Sequence, residues 1–231
     1  MANGKAVIFD LDGTLLDTLC DLADMLNLTL REHGMRERTL DEVRRFIGDG
    51  AKKLVQRAVE GGRENPDFDA VFESFMTKYA QNQGGKTAPY PCIVELLEAL
   101  AYKGILCGVV TNKPDVAAKL VCEKHFGSRL AAVEGDREGK PRKPQPDGVL
   151  EMMKRLGADR AVYVGDSEVD VLTARAANLP CVAVTWGFRS KEILEAAGGE
   201  MFADNTHELY RKIFEILELD GSPDDFEFGE K

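Results

Sequence analysis

The sequence contains little cysteine, histidine and tryptophan: five, three and one among 231 residues. The cysteines are odd in number and show no CxxC spacing, so the sequence predicts neither a disulfide framework nor a zinc site. The three histidines, His33, His125 and His207, are scattered along the chain. None of them is therefore assigned as a metal ligand or as a catalytic base.

A basic patch and a long apolar run are also missing. The formal net charge of -10 and the pI near 4.9 argue against a nucleic-acid partner or an anionic membrane, because both require clustered positive charge. No apolar run reaches membrane-spanning length, and residues 1–5 lead into a strand without a stretch typical of a signal peptide. We therefore expect a cytoplasmic protein that binds neither nucleic acid nor membrane.

The most informative segment is Asp10-Leu11-Asp12-Gly13-Thr14, which follows the apolar run 6–9. Residues i and i+2 of a strand point to the same face, so Asp10 and Asp12 are predicted to enter one small volume. Two anions at that distance repel each other unless a cation or a shared proton compensates them. Gly13 permits a sharp turn, and Thr14 offers a hydroxyl. Taken alone, the segment is equally compatible with an ordinary acidic turn.

Three further polar segments follow apolar, strand-like runs. Thr111 and Asn112 follow the run 105–110, Asp166 follows the run 161–164, and Lys143 lies in a loop after the short run 131–133. In open parallel α/β sheets the ligand crevice lies beyond the carboxyl ends of the strands. We therefore expect these residues to share one pocket with Asp10 and Asp12.

In that order, the DxDGT segment, the threonine, the lysine and the GDxxxD segment 165–170 resemble the four motifs of the haloacid dehalogenase-like hydrolases. The resemblance extends from residue 5 to about residue 210. Within that family, the segments VTNKP (110–114), KPxP (143–146) and GDSxxD look most like those of phosphoglycolate phosphatases. The resemblance implies a Rossmann-like parallel sheet core with helices on both faces and an inserted α-helical cap domain.

Hydrolysis of a phosphomonoester requires a nucleophile, neutralisation of the phosphoryl oxygens and protonation of the leaving alkoxide. We assign Asp10 as the nucleophile that forms an aspartyl phosphate, and Asp12 as general acid and then general base. This assignment expects Asp12 to hold a proton for part of the cycle while Asp10 stays ionised. Thr111 and Lys143 are expected to bind the phosphoryl oxygens, Asn112 to add an amide donor, and Gly13 to belong to the substrate-binding set.

Mg²⁺ suits such a site because it is hard, keeps several waters and needs only one or two carboxylates plus a phosphate oxygen. The family resemblance implies that Asp10 and Asp166 bind the ion by their carboxylates and Asp12 by its backbone carbonyl. Asp170 would lie beside these ligands without touching the ion. As an alternative, Asp170 is an exposed helical acid.

Other residues leave two interpretations open. Thr111 is interpreted as a phosphoryl-binding residue or, alternatively, as a helix cap before Pro114 at the first helical position. Lys143 has the alternative of a solvated loop lysine, with Lys140 and Arg142 competing for its role, although the KPxP context favours Lys143.

The hydrophobic periodicity divides the chain. From 17 to 85 it is helical throughout, with a stripe at 22–30 ended by Gly34, a capping box that begins at Thr39, and a second stripe at 68–79. After residue 90, helices and strands alternate. The prediction is a core of residues 1–16 and 86–220, a helical cap of 17–85 with hinges at 17–18 and 84–91, and a frayed acidic tail of 221–231.

A helical lid over a polar crevice favours a small substrate, because lid closure expels water and limits the size of the leaving group. The cap loop 46–50 is predicted to reach into the site, with a plain helix-to-helix turn as the alternative. Arg45, Lys52 and Lys53 are candidate cationic contacts to a substrate carboxylate.

The leading hypothesis is a Mg²⁺-dependent phosphatase of a small phosphorylated metabolite, with 2-phosphoglycolate as the first guess, acting as a monomer or homodimer. A sugar phosphomutase or a pyrophosphatase of the same architecture is the alternative. A phospho-accepting signalling module is a more remote one.

Overall fold

A six-stranded parallel sheet forms the centre of the molecule, with strands in the order β5-β4-β1-β6-β7-β8. The computed structural model describes residues 4–81 and 85–226. A separate pair, β2 and β3, is antiparallel. The strands are β1 (Lys5–Phe9), β2 (Leu16–Asp17), β3 (Ala88–Pro89), β4 (Leu106–Pro114), β5 (Ala132–Asp136), β6 (Arg160–Gly165), β7 (Cys181–Val184) and β8 (Met201–Ala203).

Helices cover both faces of the sheet and form a separate group between β2 and β3. They are α1 (Leu19–Glu32), α2 (Leu40–Phe46), α3 (Ala51–Ala58), α4 (Phe68–Gln81), α5 (Ile93–Tyr102), α6 (Asp115–Phe126), α7 (Asp147–Leu156), α8 (Glu168–Ala176), α9 (Lys191–Ala196) and α10 (Thr206–Ile216). The predicted fold class, a Rossmann-like α/β core with an inserted helical segment, is confirmed.

The central strand β1 shows why the sheet is buried on both faces. Its side chains alternate, so Val7 and Phe9 pack in one apolar cluster with α5 and α10, whereas Ala6 and Ile8 pack in another with α7 and α8. All four side chains are fully buried. A continuous apolar run of this kind leaves room for polar groups only at the end of the strand, where Asp10 follows.

The helices α1 to α4 pack around an apolar cluster of their own. Leu26, Val43, Val55 and Phe75 are among its fully buried members. The ribbon of β2 and β3 joins this group to the sheet, with Leu16 opposite Pro89. This packing supports the proposed division into a core of 1–16 and 86–220 and a cap of 17–85. Residues 82–84, which include the start of the predicted second hinge, lie outside the described residues.

Local signals predicted the cap helices well. Thr39 and Glu42 form the expected capping box at the start of α2, with hydrogen bonds of 3.2 and 2.8 Å. Gly34 has a φ of +68° directly after the end of α1, a conformation that glycine adopts at no steric cost.

Two expectations about element ends were wrong. Strand β4 does not stop at residue 110 but continues to Pro114, with an irregular register between Val110 and Pro114. The segment 221–226 is not a frayed tail, because Ser222 caps a short turn, Asp224 pairs with Arg211 at 2.5 Å and Phe226 packs on the core. Residues 227–231 lie outside the described residues.

In the described part of the chain, no helix is both long and apolar enough to cross a membrane.

Asp21, in the first turn of α1, links the two chain segments that connect the cap to the core. Its buried carboxylate accepts hydrogen bonds from the backbone N–H of Lys86 at 3.1 Å and from the N–H and hydroxyl of Thr87 at 2.7 and 2.5 Å. Asp24, one turn later, only pairs with the exposed ammonium of Lys86. Asp21 therefore attaches the segment that leads from the cap back to the core, at Lys86 and Thr87, to the first turn of α1, where the chain enters the cap.

We expect Asp21→Ala to lower the free energy of unfolding by about 1–3 kcal/mol, because three donors lose their buried acceptor. Urea unfolding followed by circular dichroism measures the change. Asp24→Ala is the matched control and should leave the unfolding midpoint unchanged, because its pair is exposed. Equal effects of the two substitutions would contradict this role of Asp21.

Candidate active site

Three carboxylates meet at the carboxyl ends of β1 and β6. Asp10 follows β1, Asp166 follows β6, and Asp170 lies in the first turn of α8. Each offers an oxygen that lies within 4.8 Å of the others. They converge because β1 and β6 are neighbours in parallel register, with Phe9 beside Val164. The structure thus brings together three residues that are more than 150 positions apart at their extremes.

Lys143 supplies the positive charge next to these acids. Its Nζ lies 2.8 Å from Asp10 Oδ1 in an ion pair and 2.7 Å from Asp170 Oδ1, and its side chain is 3% exposed. The alternative of a solvated loop lysine is therefore wrong. The competing cations point elsewhere, since Lys140 pairs with Glu134 and Glu151 and Arg142 pairs with Asp136.

Asp170 is fully buried, so its interpretation as an exposed helical acid is wrong. Its Oδ1 accepts hydrogen bonds from Lys143 Nζ and from the Tyr163 hydroxyl at 3.0 Å. Its Oδ2 accepts from the backbone N–H and the hydroxyl of Ser167 at 3.0 and 2.6 Å. Because both oxygens already accept two donors, Asp170 is suited to hold Lys143 in place and not to bind an ion directly.

Asp166 is held by fewer donors. Its Oδ1 accepts from the Thr14 hydroxyl at 3.0 Å, and its Oδ2 accepts from the backbone N–H of Phe188 at 2.8 Å. Two glycines make room for it: a Cβ on Gly13 would lie 2.3 Å from Asp166 Oδ2, and a Cβ on Gly187 would lie 2.3 Å from Asp166 Cβ. Each Asp166 oxygen therefore keeps a lone pair for another partner.

Gly13, predicted from the sequence to belong to the substrate-binding set, lies in the turn that follows β1. Its backbone N–H donates to the carbonyl of Leu16 at 2.9 Å, and its φ is +89°. The residue is needed because only glycine combines this φ with the close approach of Asp166.

Burial and mutual repulsion make the charged forms of these acids costly. Burial raises the pKa of Asp10 to about 6, with Lys143 opposing and Asp170 adding to the shift. Burial also raises the pKa of Asp166 well above its usual range, and the charges of Asp170 and Asp10 add to it. We expected Asp10 to stay ionised beside metal and lysine, but one lysine alone does not hold its pKa at the usual value.

A divalent cation fits this donor set. Asp10 and Asp166 both present a buried carboxylate oxygen with capacity to spare, since Asp10 Oδ1 has only the contact with Lys143 among the described residues. Mg²⁺ requires one or two carboxylates and keeps water or phosphate oxygens at its other positions. Two carboxylates and a single nearby ammonium leave negative charge that such an ion would compensate.

The side chain of Asp12 is not part of this cluster and pairs with Lys113, a residue that sequence reasoning did not assign. Lys113 Nζ lies 2.9 and 3.1 Å from the two Asp12 oxygens. It also lies 5.0 Å from the centre of the Tyr79 ring. Although burial alone would lower the pKa of Lys113, the charge of Asp12 raises it. The position of Lys113, two residues after Thr111, was the available signal.

Tyr79 was predicted as part of the apolar stripe of the cap, and it is buried there beside Phe75. Its ring also faces Lys113, so the residue belongs both to the cap core and to the site. Helical periodicity does not distinguish these two roles, because the same face of α4 supplies both.

A cavity of about 40 Å³ adjoins these residues, between the core and the cap. The cap loop lines it through Ile47, Gly48 and Gly50, so the predicted approach of the loop to the site is observed. The predicted cap cations do not line it: Arg45 and Lys53 are exposed, and Lys52 lies over the ring of Phe72. Among the residues that line this cavity, Lys113 is the cation, and it comes from the core.

Thr111 and Asn112 occupy the irregular end of β4. Helix α6 begins only at Asp115, with Pro114 before it, so the alternative of Thr111 as a helix cap is wrong. Thr111 lines the cavity and is 6% exposed. The Asn112 side-chain amide, predicted as a donor to phosphate, instead donates to the carbonyls of Gly48 and Lys143, both at 3.2 Å. It joins the cap loop to the loop that carries the lysine.

We expect Gly187→Ala to weaken Mg²⁺ binding by about 10- to 100-fold, because the new Cβ would displace Asp166. The single tryptophan, Trp186, reports on this site, since its Nε1 donates to the carbonyl of Thr14 at 3.1 Å. Its fluorescence during Mg²⁺ titration measures the affinity. Gly85→Ala, where no atom lies within 4 Å of the added carbon, is the control. Wild-type Mg²⁺ affinity in Gly187→Ala would contradict the assignment of Asp166 as a ligand.

Comparisons with known proteins agree with this geometry. The family model described as haloacid dehalogenase-like hydrolase matches residues 7–184. A phosphoglycolate phosphatase from Agrobacterium fabrum is 35% identical over 221 residues, covering 93% of this chain and 94% of the relative. A phosphoglycolate phosphatase from Rhodospirillum rubrum is 38% identical over 210 residues, with 87% of each chain covered.

A solved structure shares the whole architecture. It comes from Lactobacillus delbrueckii subsp. bulgaricus and is provisionally described as a phosphoglycolate phosphatase. It superposes with a TM-score of 0.85 at 34% identity and covers 93% of this chain and 99% of its own. The resemblance found in the sequence motifs is confirmed: the chain belongs to the haloacid dehalogenase-like hydrolases and is similar to their phosphoglycolate phosphatases.

Proposed function

We propose that the protein is a Mg²⁺-dependent phosphatase that hydrolyses a small phosphomonoester, 2-phosphoglycolate being the first candidate, through an aspartyl phosphate on Asp10. The family and the names of its relatives indicate a phosphatase acting on phosphoesters. The observation that carries the finer proposal is the meeting of Asp10, Asp166 and Lys143 beside a cavity that the cap closes.

Asp10 is the carboxylate best placed to attack phosphorus. It lies at the end of β1, lines the cavity and is 8% exposed. Attack by its oxygen forms an acyl phosphate and breaks the bond to the leaving oxygen, so that one difficult displacement becomes two easier ones. Water then cleaves the acyl phosphate and restores the carboxylate.

Asp12 lies two residues on and lines the same cavity. In this proposal it donates a proton to the leaving oxygen and later accepts one from the attacking water. Both oxygens of its carboxylate accept hydrogen bonds from the ammonium of Lys113, at 2.9 and 3.1 Å. Proton transfer by Asp12 therefore requires Lys113 to take another partner during the reaction.

Lys143 and Thr111 are proposed to bind the transferred phosphoryl group. The ammonium of Lys143 already lies 2.8 Å from the nucleophile, where a phosphoryl oxygen bound to Asp10 would also be within reach. Asp10, Asp166 and the Asp12 backbone carbonyl would hold Mg²⁺, with Asp170 keeping Lys143 in position. The ion, when bound, neutralises phosphoryl charge.

The substrate is proposed to be small and to carry a second anionic group. The cavity that Asp10 and Asp12 line has a volume of about 40 Å³ and a mostly apolar wall, with Leu22, Leu54 and Phe75 beside the cap loop. A space of this size favours a small leaving group while the cap is closed. Lys113 is the cation in its wall. A substrate carboxylate that took the ammonium of Lys113 would release Asp12 for proton transfer, which favours a phosphorylated acid over a neutral ester. The protein is proposed to act as a monomer or homodimer.

A panel of phosphorylated metabolites tests the proposal. With Mg²⁺ present, released phosphate is measured for 2-phosphoglycolate, sugar phosphates and pyrophosphate, and isomerised sugar phosphate is measured in parallel. We expect the highest kcat/KM for 2-phosphoglycolate and loss of at least about 1,000-fold in Asp10→Asn, because an amide is a poor nucleophile. Isomerised product without phosphate release would identify a mutase, a preference for pyrophosphate would identify a pyrophosphatase, and either would overturn the proposal.

Lys113→Met tests the assignment of the second anionic group. The substitution keeps the length of the side chain and removes its charge. We expect the ratio of kcat/KM for 2-phosphoglycolate to that for ethyl phosphate to fall by about tenfold or more, because only the first substrate loses a charged hydrogen bond. The ratio removes any effect on Asp12 that both substrates share. An unchanged ratio would exclude Lys113 as the carboxylate contact.

A further inference from the structure

The segment 185–190, between β7 and α9, contacts both the metal-binding carboxylate and the cap. On the core side, the backbone N–H of Phe188 donates to Asp166 Oδ2, and Gly187 packs against Asp166. On the cap side, the ring of Phe188 is buried in the apolar cluster of α1 to α4. Phe188 is thus a core residue whose side chain belongs to the cap.

Arg189, the next residue, makes the corresponding polar connection. It is 7% exposed, and its guanidinium has three partners. Nη1 donates to the carbonyl of Arg44 at 3.0 Å, and Nη2 donates to the carbonyl of Ile47 at 2.5 Å. Nε donates to Glu168 Oε2 at 2.8 Å, in the first turn of α8. Arg189 therefore spans from the helix that follows Asp166 to the end of α2.

The position of the Arg44 and Ile47 carbonyls at the C-terminal end of α2 favours hydrogen bonds from a cation. The last carbonyls of a helix have no partner within it and carry the negative end of its dipole. Helix α2 ends at Phe46, so the carbonyl of Arg44 is one of these groups, and the carbonyl of Ile47 follows directly in extended backbone. The planar guanidinium binds both at once, which an ammonium does not match in geometry.

The segment that Arg189 holds is the one that closes the cavity. Ile47 lines the cavity, and Gly48 follows it with its Cα close enough that an added Cβ would lie 3.2 Å from Nη2 of Arg189. A second contact of the same kind is the hydrogen bond from Asn112 to the carbonyl of Gly48. Both contacts join the core to backbone groups of the cap loop.

We propose that Arg189 is a positioning residue that latches the cap loop over the cavity and, through Phe188, couples cap closure to the placement of Asp166. With the latch formed, Ile47 and Gly48 cover the substrate, and the Phe188 N–H fixes one oxygen of the metal-binding carboxylate. With the latch broken, the cap loop loses its attachment to α8, and the segment 185–190 no longer holds Asp166 rigidly. Substrate affinity then depends on a residue that does not touch the substrate.

Two measurements test the latch in Arg189→Met. Hydrogen exchange of backbone amides in 47–55 reports on the attachment of the cap loop without any substrate. The ratio of kcat/KM for a small alkyl phosphomonoester to that for p-nitrophenyl phosphate reports on closure during turnover, because a bulky aryl group gains least from a closed cap. We expect exchange to accelerate about tenfold or more, and the ratio to fall about tenfold through a rise in KM for the small ester.

Three further variants separate a latch from a general loss of stability. Arg175→Met is a control within the core, because Arg175, although exposed, also donates to two carbonyls that follow a helix, those of Ala197 and Gly198. It should change neither measurement. Arg189→Lys should keep part of the latch and change both measurements less than Arg189→Met, since an ammonium reaches one carbonyl. Glu168→Gln should weaken the latch by removing the charge that holds Arg189.

Unchanged exchange in 47–55, or equal changes in Arg189→Met and Arg175→Met, would overturn the proposal. If Arg189→Met fails to fold, Arg189→Lys and Glu168→Gln decide, and wild-type exchange in both would overturn it. The kinetic measurement rests on the proposed phosphatase activity, whereas the exchange measurement does not. Absence of turnover in the wild-type protein would therefore refute the proposed function and leave the latch to be judged by exchange.

Discussion

The site depends on a charge imbalance buried at one end of the sheet. Asp10, Asp166 and Asp170 place three carboxylates within 4.8 Å of one another, and Lys143 is the ammonium that contacts two of them. Buried like charges are tolerated only when something compensates them. Asp170 and Lys143 satisfy each other, which leaves Asp10 and Asp166 to share the uncompensated charge. This arrangement is suited to a cation and to the incoming phosphoryl group that it would neutralise.

The same imbalance explains how an acidic protein can bind an anion. The chain carries a formal charge of -10, so its long-range field does not attract a phosphorylated substrate. Attraction must therefore come from groups at short range in a site of low dielectric constant. Lys143 and Lys113 are both buried, each beside a carboxylate that keeps its ammonium charged. Binding at such a site is local, and exclusion of water by the cap would increase its strength.

How much the sequence predicts differs between local and long-range features. Asp10, Asp166 and Lys143 were predicted because each follows an apolar run, and parallel strands bring such positions together. The capping box at Thr39 and the end of α1 at Gly34 depend only on neighbouring residues. Their signals are therefore contained in a few positions of the chain.

The residues that were missed have partners far away in sequence. Arg189 contacts carbonyls about 145 positions earlier, and Lys113 contacts a carboxylate 101 positions earlier. Asn112 was assigned to phosphate because its own segment gives no sign of the cap loop that it binds. A lone arginine or lysine in a loop is typical of a solvated charge, and only the three-dimensional packing reveals Arg189 and Lys113 as contacts within the structure.

The hydrogen bonds between cap and core indicate which side chains of the cap loop can vary without loss of the attachment. Arg189 and Asn112 bind backbone carbonyls of the cap, at Arg44 in the last turn of α2 and at Ile47 and Gly48 in the cap loop. These two connections place few demands on the side chains of that loop. The exceptions are Ile47, whose side chain is buried in the same apolar cluster as Phe188, and the glycine whose added Cβ would approach Arg189. The other side chains of the loop can therefore vary to contact different leaving groups while the hydrogen bonds that attach the cap stay the same. Because Phe188, next to Arg189, donates its backbone N–H to Asp166, the proposed latch would make closure over any accepted substrate coincide with the placement of this carboxylate.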